Sequence, residues 1–161
     1  MIYLTSDTHF SHYNIIKYCN RPFYSAKEMN EVLIANWNST VSPEDTIFHL
    51  GDFALTKREE SAEIISRLNG YKILIRGNHD RSLQVMKELG FDEVYNEYQY
   101  EGWLLKHHPE RAESGIKQLA GHVHEKWSRI KDVINVGVDV RHFKPHTLEQ
   151  LLNWENDNAN L

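Results

Sequence analysis

The sequence predicts an α/β fold with a mainly parallel sheet in its first half. Three observations predict it. Short apolar runs rich in β-branched residues end at Gly or at small polar clusters, as buried strands do. Between them lie stretches with apolar residues at helical spacing, opened by Ser/Thr-x-x-Glu boxes. The 161 residues carry no repeat, linker or low-complexity segment, so one domain spanning residues 1–161 is expected.

Residues 1–5 form the first apolar run, a strand that gives out into Ser6, Asp7, Thr8 and His9. Asp7 and His9 are two apart, which puts both on one face if the backbone stays extended. A carboxylate beside an imidazole is half of a metal site, though each alone also suits a helix cap or a surface. His12 lies one turn on, within reach of a substrate phosphate. Residues 14–19 read as a short helix that Asn20, Arg21 and Pro22 stop. Arg21 could contact an anionic substrate. Ser25 and Glu28 make a capping box, after which Met29, Val32, Leu33, Asn36 and Trp37 share a mostly apolar, core-facing helix surface.

A turn at residues 42–45 leads to a second strand, 46–50, which ends at Gly51-Asp52. The two oxygens of Asp52 suit a ligand shared by two cations, while His49, inside the run, packs behind the site. Thr56 and Glu59 suggest another capping box, opening a helix lined by Ala62, Ile65 and Leu68 and closed by Asn69-Gly70. Then comes KILIRGNHDR, residues 72–81, the stretch around which the chain is organised. Its apolar Ile73, Leu74 and Ile75 stop at Gly77, and Asn78, His79 and Asp80 follow. They offer an amide oxygen, an imidazole and a carboxylate at a strand end, where open α/β sheets bind ligands. Arg76 and Arg141 are further candidates for substrate contact.

The second half is richer in strands. After a helix over residues 82–89, residues 93–99 alternate weakly and Trp103, Leu104 and Leu105 form an apolar run. That run ends at His107-His108-Pro109, where Pro109 closes the strand and one of the adjacent histidines faces the site. Leu119, Ala120 and Gly121 lead to His122-Val123-His124, two imidazoles on one side of an extended segment. Residues 133–140 read as a strand with a tight approach at Gly137. Thr147 and Gln150 cap a last helix, and residues 155–161 are expected to fray.

Composition excludes several classes. No apolar run approaches the ~20 residues of a membrane span. Net charge of −5 gives no footprint for tight binding along a nucleic-acid backbone. A single cysteine, Cys19, fits a reducing compartment, and the N-terminus lacks a signal-peptide pattern, so a cytoplasmic location is expected. Ten histidines are the one oddity, and metal binding is the first explanation.

Asp-x-His, Gly-Asp, Gly-Asn-His-Asp, a His, then Gly-His-x-His, in this order from Asp7 to His124, resembles the calcineurin-like metallophosphoesterases. The SDTHF near the start and NVGVD near the end are similar to a small, uncapped bacterial and phage-type subgroup. The resemblance implies a four-layer α/β/β/α sandwich of two facing mixed sheets flanked by helices. It implies two divalent transition-metal ions, manganese first, with iron, zinc, nickel or cobalt as alternatives. Asp7, His9 and His124 would hold one ion, Asn78, His107 and His122 the other, and Asp52 would bridge them. His79, off the metals, would face the substrate as proton donor or phosphate-binding group, oriented by Asp80. Two such cations can activate a shared water for in-line attack on phosphorus. The expected function is hydrolysis of phosphodiesters of a small, nucleotide-like substrate, with a phosphomonoesterase or an inactive metal-binding scaffold as alternatives. The scaffold would have lost ligands or His79. A metallo-β-lactamase would show His-x-His-x-Asp-His early in the chain, and does not fit.

Overall fold

Every strand that opens the fold is followed by a helix that returns the chain, so the first sheet can only be parallel. The computed structural model describes residues 1–110 and 115–158, without the side chains of 155–158. β1 (Ile2–Thr5), α1 (Tyr13–Tyr18), α2 (Ala26–Thr40), β2 (Thr46–His49), α3 (Arg58–Arg67), β3 (Tyr71–Ile75), α4 (Leu83–Glu88) and β4 (Glu93–Tyr95) build that sheet in the order β1-β2-β3-β4. All its pairings are parallel, with Leu4 opposite Phe48 and Phe48 opposite Ile73.

The second sheet is mixed. β5 (Glu97–Tyr100) pairs antiparallel with β6 (Trp103–Lys106), which runs parallel to β7 (Gln118–Ala120). β9 (Val133–Asn135) lies parallel to β7 and antiparallel to β8 (Arg129–Ile130), giving the order β5-β6-β7-β9-β8. α5 (Leu148–Asn158) closes the chain.

Alternation along the strands sorts the core into two halves. Leu4, Phe48, Leu50, Ile73 and Ile75 meet Trp103, Leu105, Leu119, Ile134 and Val136 between the sheets. Ile47 and Leu74, one residue out of phase, face Met29, Leu33, Trp37, Ile64 and Ile65 on the helices. Burying such side chains on both faces, at roughly 1.5–3 kcal/mol each, fixes the strand register and with it the place where every strand ends.

The local expectations mostly hold, with instructive shifts. Ser25 accepts the Glu28 amide at 3.1 Å, and Thr147 and Gln150 cap each other reciprocally, at 3.2 and 2.9 Å. The Thr56 box does not form: Thr56 bonds the Glu60 side chain instead, and α3 starts after Lys57 without a side-chain cap. Residues 93–99 are not one strand. The chain passes at Asn96 from β4 in one sheet to β5 in the other, so the weak alternation belongs to two registers. The strand expected at 133–140 stops at Asn135, whose side chain accepts the Gly137 amide at 2.8 Å, and a 3-10 turn follows at Val138–Val140. α5 runs on to Asn158 through the start of the expected tail; the rest of that tail, 159–161, lies outside the described residues.

Candidate metal centre

The parallel strands β1, β2 and β3 end side by side, and β6 and β7 end toward them from the second sheet. A parallel bridge between Ser6 and Gly137 ties the two sheets together at that end. The segments after each strand then crowd so closely that glycine is required. A Cβ on Gly51 would lie 2.6 Å from the Gly77 nitrogen and 2.7 Å from His107 Nδ1, and one on Gly77 would lie 2.5 Å from Asp52 Oδ1. The Gly in Gly-Asp and in Gly-Asn-His-Asp is therefore a packing requirement, and its role goes beyond the turn.

The donors themselves sit on unusual backbone. Asp7, His9, Asp52, His122 and His124 all have positive φ, between 49° and 74°. This corrects the expectation that Asp7/His9 and His122/His124 share a face of extended chain. β1 has ended at Thr5 and β7 at Ala120, and left-handed turns aim each side chain separately. Asp and His enter this region more readily than most residues, but at a cost on the order of 1–3 kcal/mol each.

The first donor set is Asp7, His9 and His124, whose ligating atoms lie within 4.8 Å of one another. Asp7 Oδ2 accepts the Ser6 hydroxyl at 2.7 Å and the His122 amide at 2.9 Å, so its orientation is fixed. Asp7 Oδ1 and His9 Nε2 are buried with no hydrogen-bond partner among the described residues. Two such bare atoms facing one gap fit a cation, because an unpaired buried acceptor otherwise costs about 1–3 kcal/mol. His124 Nδ1 donates to Asp139 Oδ2 at 3.1 Å, leaving Nε2 toward Asp7 Oδ1 at 3.9 Å. Burial holds His9 neutral, down to about 2, which is the protonation state of a ligand.

The second set gathers on His107. Its Nδ1–H donates to the Leu50 carbonyl at 2.7 Å, which leaves Nε2 to face Asn78 Oδ1 at 3.0 Å and Asp52 Oδ2 at 3.2 Å. Burial opposes a charge on the ring, but the Asp52 and Asp7 carboxylates raise it to about 9. Nε2 therefore holds a proton where an ion between these three donors would displace it, while the Leu50 carbonyl fixes the ring's orientation. The His122 ring is 5.3 Å from the His107 ring and 4.0 Å from that of His108. His107 is buried and His108 exposed, yet ligating atoms of His107, His108 and His122 all lie within 4.8 Å of one another, so both adjacent histidines reach the cluster. Asp52 stands between the sets. Its Oδ1 accepts the His79 amide at 2.9 Å, and its Oδ2 lies 3.6 Å from His9 Nε2 as well as 3.2 Å from His107. Burial alone would raise its carboxyl, but the His107 contact and the His79 amide hold it below the usual range.

His79 is exposed at the mouth of the cluster, its ring 5.7 Å from that of His9. Asp80 does not reach that ring. Its carboxylate accepts the amides of Gly77, Asp52 and Phe53 at 2.8–3.0 Å, locking the Gly-Asp loop to the Gly-Asn-His-Asp loop. Arg21 is likewise turned inward. It forms a two-pronged ion pair with Asp139 at 2.8 and 2.9 Å and donates to the Asp7 and Thr8 carbonyls, away from any substrate. Arg141 is buried, bonding the Asn135 and Ser128 carbonyls, and Arg76 bonds the Arg81 carbonyl. Of the substrate candidates only His12 lines the cleft, its Nδ1 3.1 Å from His9 Nδ1.

Asp139, the last residue of NVGVD, is a functional residue that sequence pattern alone does not single out. Only a weak signal was present: a carboxylate two residues after Gly137, just beyond a strand end.

Two facing sheets whose strand ends pool Asp, His and Asn donors define a metal-dependent phosphoesterase, and the chain belongs to the calcineurin-like phosphoesterase family, which matches residues 1–159. It is 37% identical over 165 aligned positions to an uncharacterized protein of Methanocaldococcus jannaschii, covering 94% of this chain and 89% of that one. Among solved structures it is similar to a protein of unknown function from Aquifex aeolicus, with 31% identity, a TM-score of 0.75, and 96% and 98% of the two chains covered. It is also similar to the nuclease MPE of Pseudomonas putida, with 26% identity, a TM-score of 0.54, and 76% and 61% covered.

Proposed function

We propose that the protein is a dinuclear metal-dependent phosphodiesterase acting on a small, nucleotide-like substrate. The observation that carries this reading is the pair of donor sets meeting at Asp52, with the bare Asp7 Oδ1 and His9 Nε2 turned into the gap. Asp7, His9 and His124 would hold one ion, Asn78, His107 and His122 the other, and Asp52 both. The nitrogen and oxygen donors suit manganese, iron, zinc, nickel or cobalt without choosing among them, and manganese is the ion proposed first. Bound there, two divalent ions supply Lewis acidity toward the phosphoryl oxygens and lower the pKa of an attacking water.

The chain's own residues do the remaining work. His79, exposed and outside both donor sets, gives a proton to the leaving oxygen. Its backbone N–H donates to Asp52 Oδ1, which ties its backbone to the donors, and Asp80 holds both loops in place. His12 contacts the bound phosphoester from the side of α1. The similarity to a nuclease, a diester-cleaving enzyme, supports a diester over a monoester.

The test is hydrolysis of an aryl phosphodiester and the matching monoester by the manganese-loaded protein, with Asp52→Ala and His79→Ala alongside. The wild type should prefer the diester. Asp52→Ala should lose both metal and activity, and His79→Ala should keep metal yet turn over about 100-fold or more slowly. A monoester preference would move the substrate assignment, and cleavage of neither substrate by a protein that binds no ions would leave a scaffold.

A further inference from the structure

The donor cluster opens into a cleft of about 330 Å³. His9, His79, His122 and His124 line it on the cluster side, while Ile15 and Tyr18 line it from α1. Tyr18 is 71% exposed. Its ring meets His12 edge-on at 6.5 Å between centroids, and His12 in turn contacts His9. The Tyr18 ring is therefore largely open to solvent at the rim of the cleft, one side chain removed from His9.

Charge narrows what that face can take. Glu125 and Lys126, which also line the cleft, are adjacent and of opposite sign, so together they offer no anion trough. A net charge of −5 also gives no footprint for a long single strand. A flat, uncharged ring tethered to one phosphate suits the cleft better than a polyanion or an alkyl phosphate. We propose that Tyr18 is a base-stacking subsite, so that the preferred substrates are phosphodiesters of a single nucleoside whose base packs on the Tyr18 ring. This rests on the phosphodiesterase reading, and the sugar supplies the spacing between the phosphate over the donors and the base on the tyrosine.

Base-on-aromatic stacking predicts that deleting the ring weakens recognition by about 5- to 150-fold. The experiment compares the manganese-loaded wild type, Tyr18→Ala and Tyr18→Phe on thymidine 5′-(p-nitrophenyl phosphate) and methyl p-nitrophenyl phosphate, which share a leaving group. Tyr18→Ala should lower kcat/KM for the thymidine ester by that factor and leave the methyl ester unchanged, while Tyr18→Phe keeps the preference. Calorimetric binding of thymidine 5′-monophosphate against methyl phosphate supplies a readout apart from turnover. If both diesters are cleaved and the preference survives Tyr18→Ala, the subsite is wrong and the phosphodiesterase reading stands. If neither diester is cleaved but Tyr18→Ala abolishes the binding preference, the subsite stands and that reading falls. Equal binding of both phosphates by the wild type, with neither diester cleaved, overturns both.

Discussion

Replacing Asp139 with Asn separates two jobs that one carboxylate performs. In the native protein Asp139 pairs with Arg21 at 2.8 and 2.9 Å and accepts His124 Nδ1–H at 3.1 Å, with both ion-pair side chains essentially buried. Removing one partner of a buried pair costs about 3–5 kcal/mol, because the other charge is stranded. Asn retains one carbonyl oxygen to accept a bond, so the lower end, about 3 kcal/mol, is expected. At roughly 2–4 °C per kcal/mol for a domain of this size, Tm should fall by about 6–12 °C in chelator. The second loss falls on the ion. With His124 no longer held as the Nδ1–H tautomer, metal affinity should drop about 10- to 100-fold. That shrinks the stabilisation given by saturating manganese by about 1.4–2.7 kcal/mol. Thermal unfolding followed by circular dichroism, first in chelator and then across a manganese titration, reads both effects. Wild-type manganese affinity in Asp139→Asn, whatever its Tm, would refute the claim that Asp139 aims His124.

Three further outcomes are expected. Gly77→Ala should bind manganese far more weakly than wild type in equilibrium dialysis, since its Cβ would lie 2.5 Å from Asp52 Oδ1 and push the shared carboxylate aside. His107→Ala should lose more affinity than the about 100-fold typical of outer partners, while His108→Ala stays near wild type; equal losses would show that the buried ring is not the ligand. The third concerns pH. Burial holds His49 neutral, lowering it from 6.5 to about 3, so the unfolded chain binds more protons between those values. The stability that His49 confers is thus complete above pH 6.5 and lost on acidification. Urea titrations should show about 2 kcal/mol less stability at pH 5 than at pH 7 from this residue. His49→Gln should have a smaller pH dependence.

Much of this was legible because chemistry and punctuation coincide along the chain. Strands end where apolar runs meet Gly-Asp or Gly-Asn, and the register of a doubly buried sheet then puts those ends together. Tertiary geometry was not legible. Nothing local announces that Asp7 or His124 takes left-handed backbone, because that conformation is imposed by crowding between loops distant in sequence. Arg21 and Asp80 look like functional groups for substrate and catalysis, respectively. Arg21 reaches Asp139, 118 positions away, and Asp80 reaches Asp52 and Phe53, so their purpose appears only once the chain is folded. The split at Asn96 was hidden for a related reason: two short strands in different sheets share one stretch of weak alternation.

The left-handed donors also bear on how such a chain can evolve. Each of Asp7, His9, Asp52, His122 and His124 holds the backbone where glycine would rest without strain. Replacing a donor by Gly would discard chemistry and relieve that backbone strain in the same step. It would also strand the partners of its side chain, such as the His122 amide on Asp7 and the His79 amide on Asp52. Asp and His at these positions thus set backbone strain against the buried hydrogen bonds that aim them, and the loops hold a geometry that neither contribution would give alone.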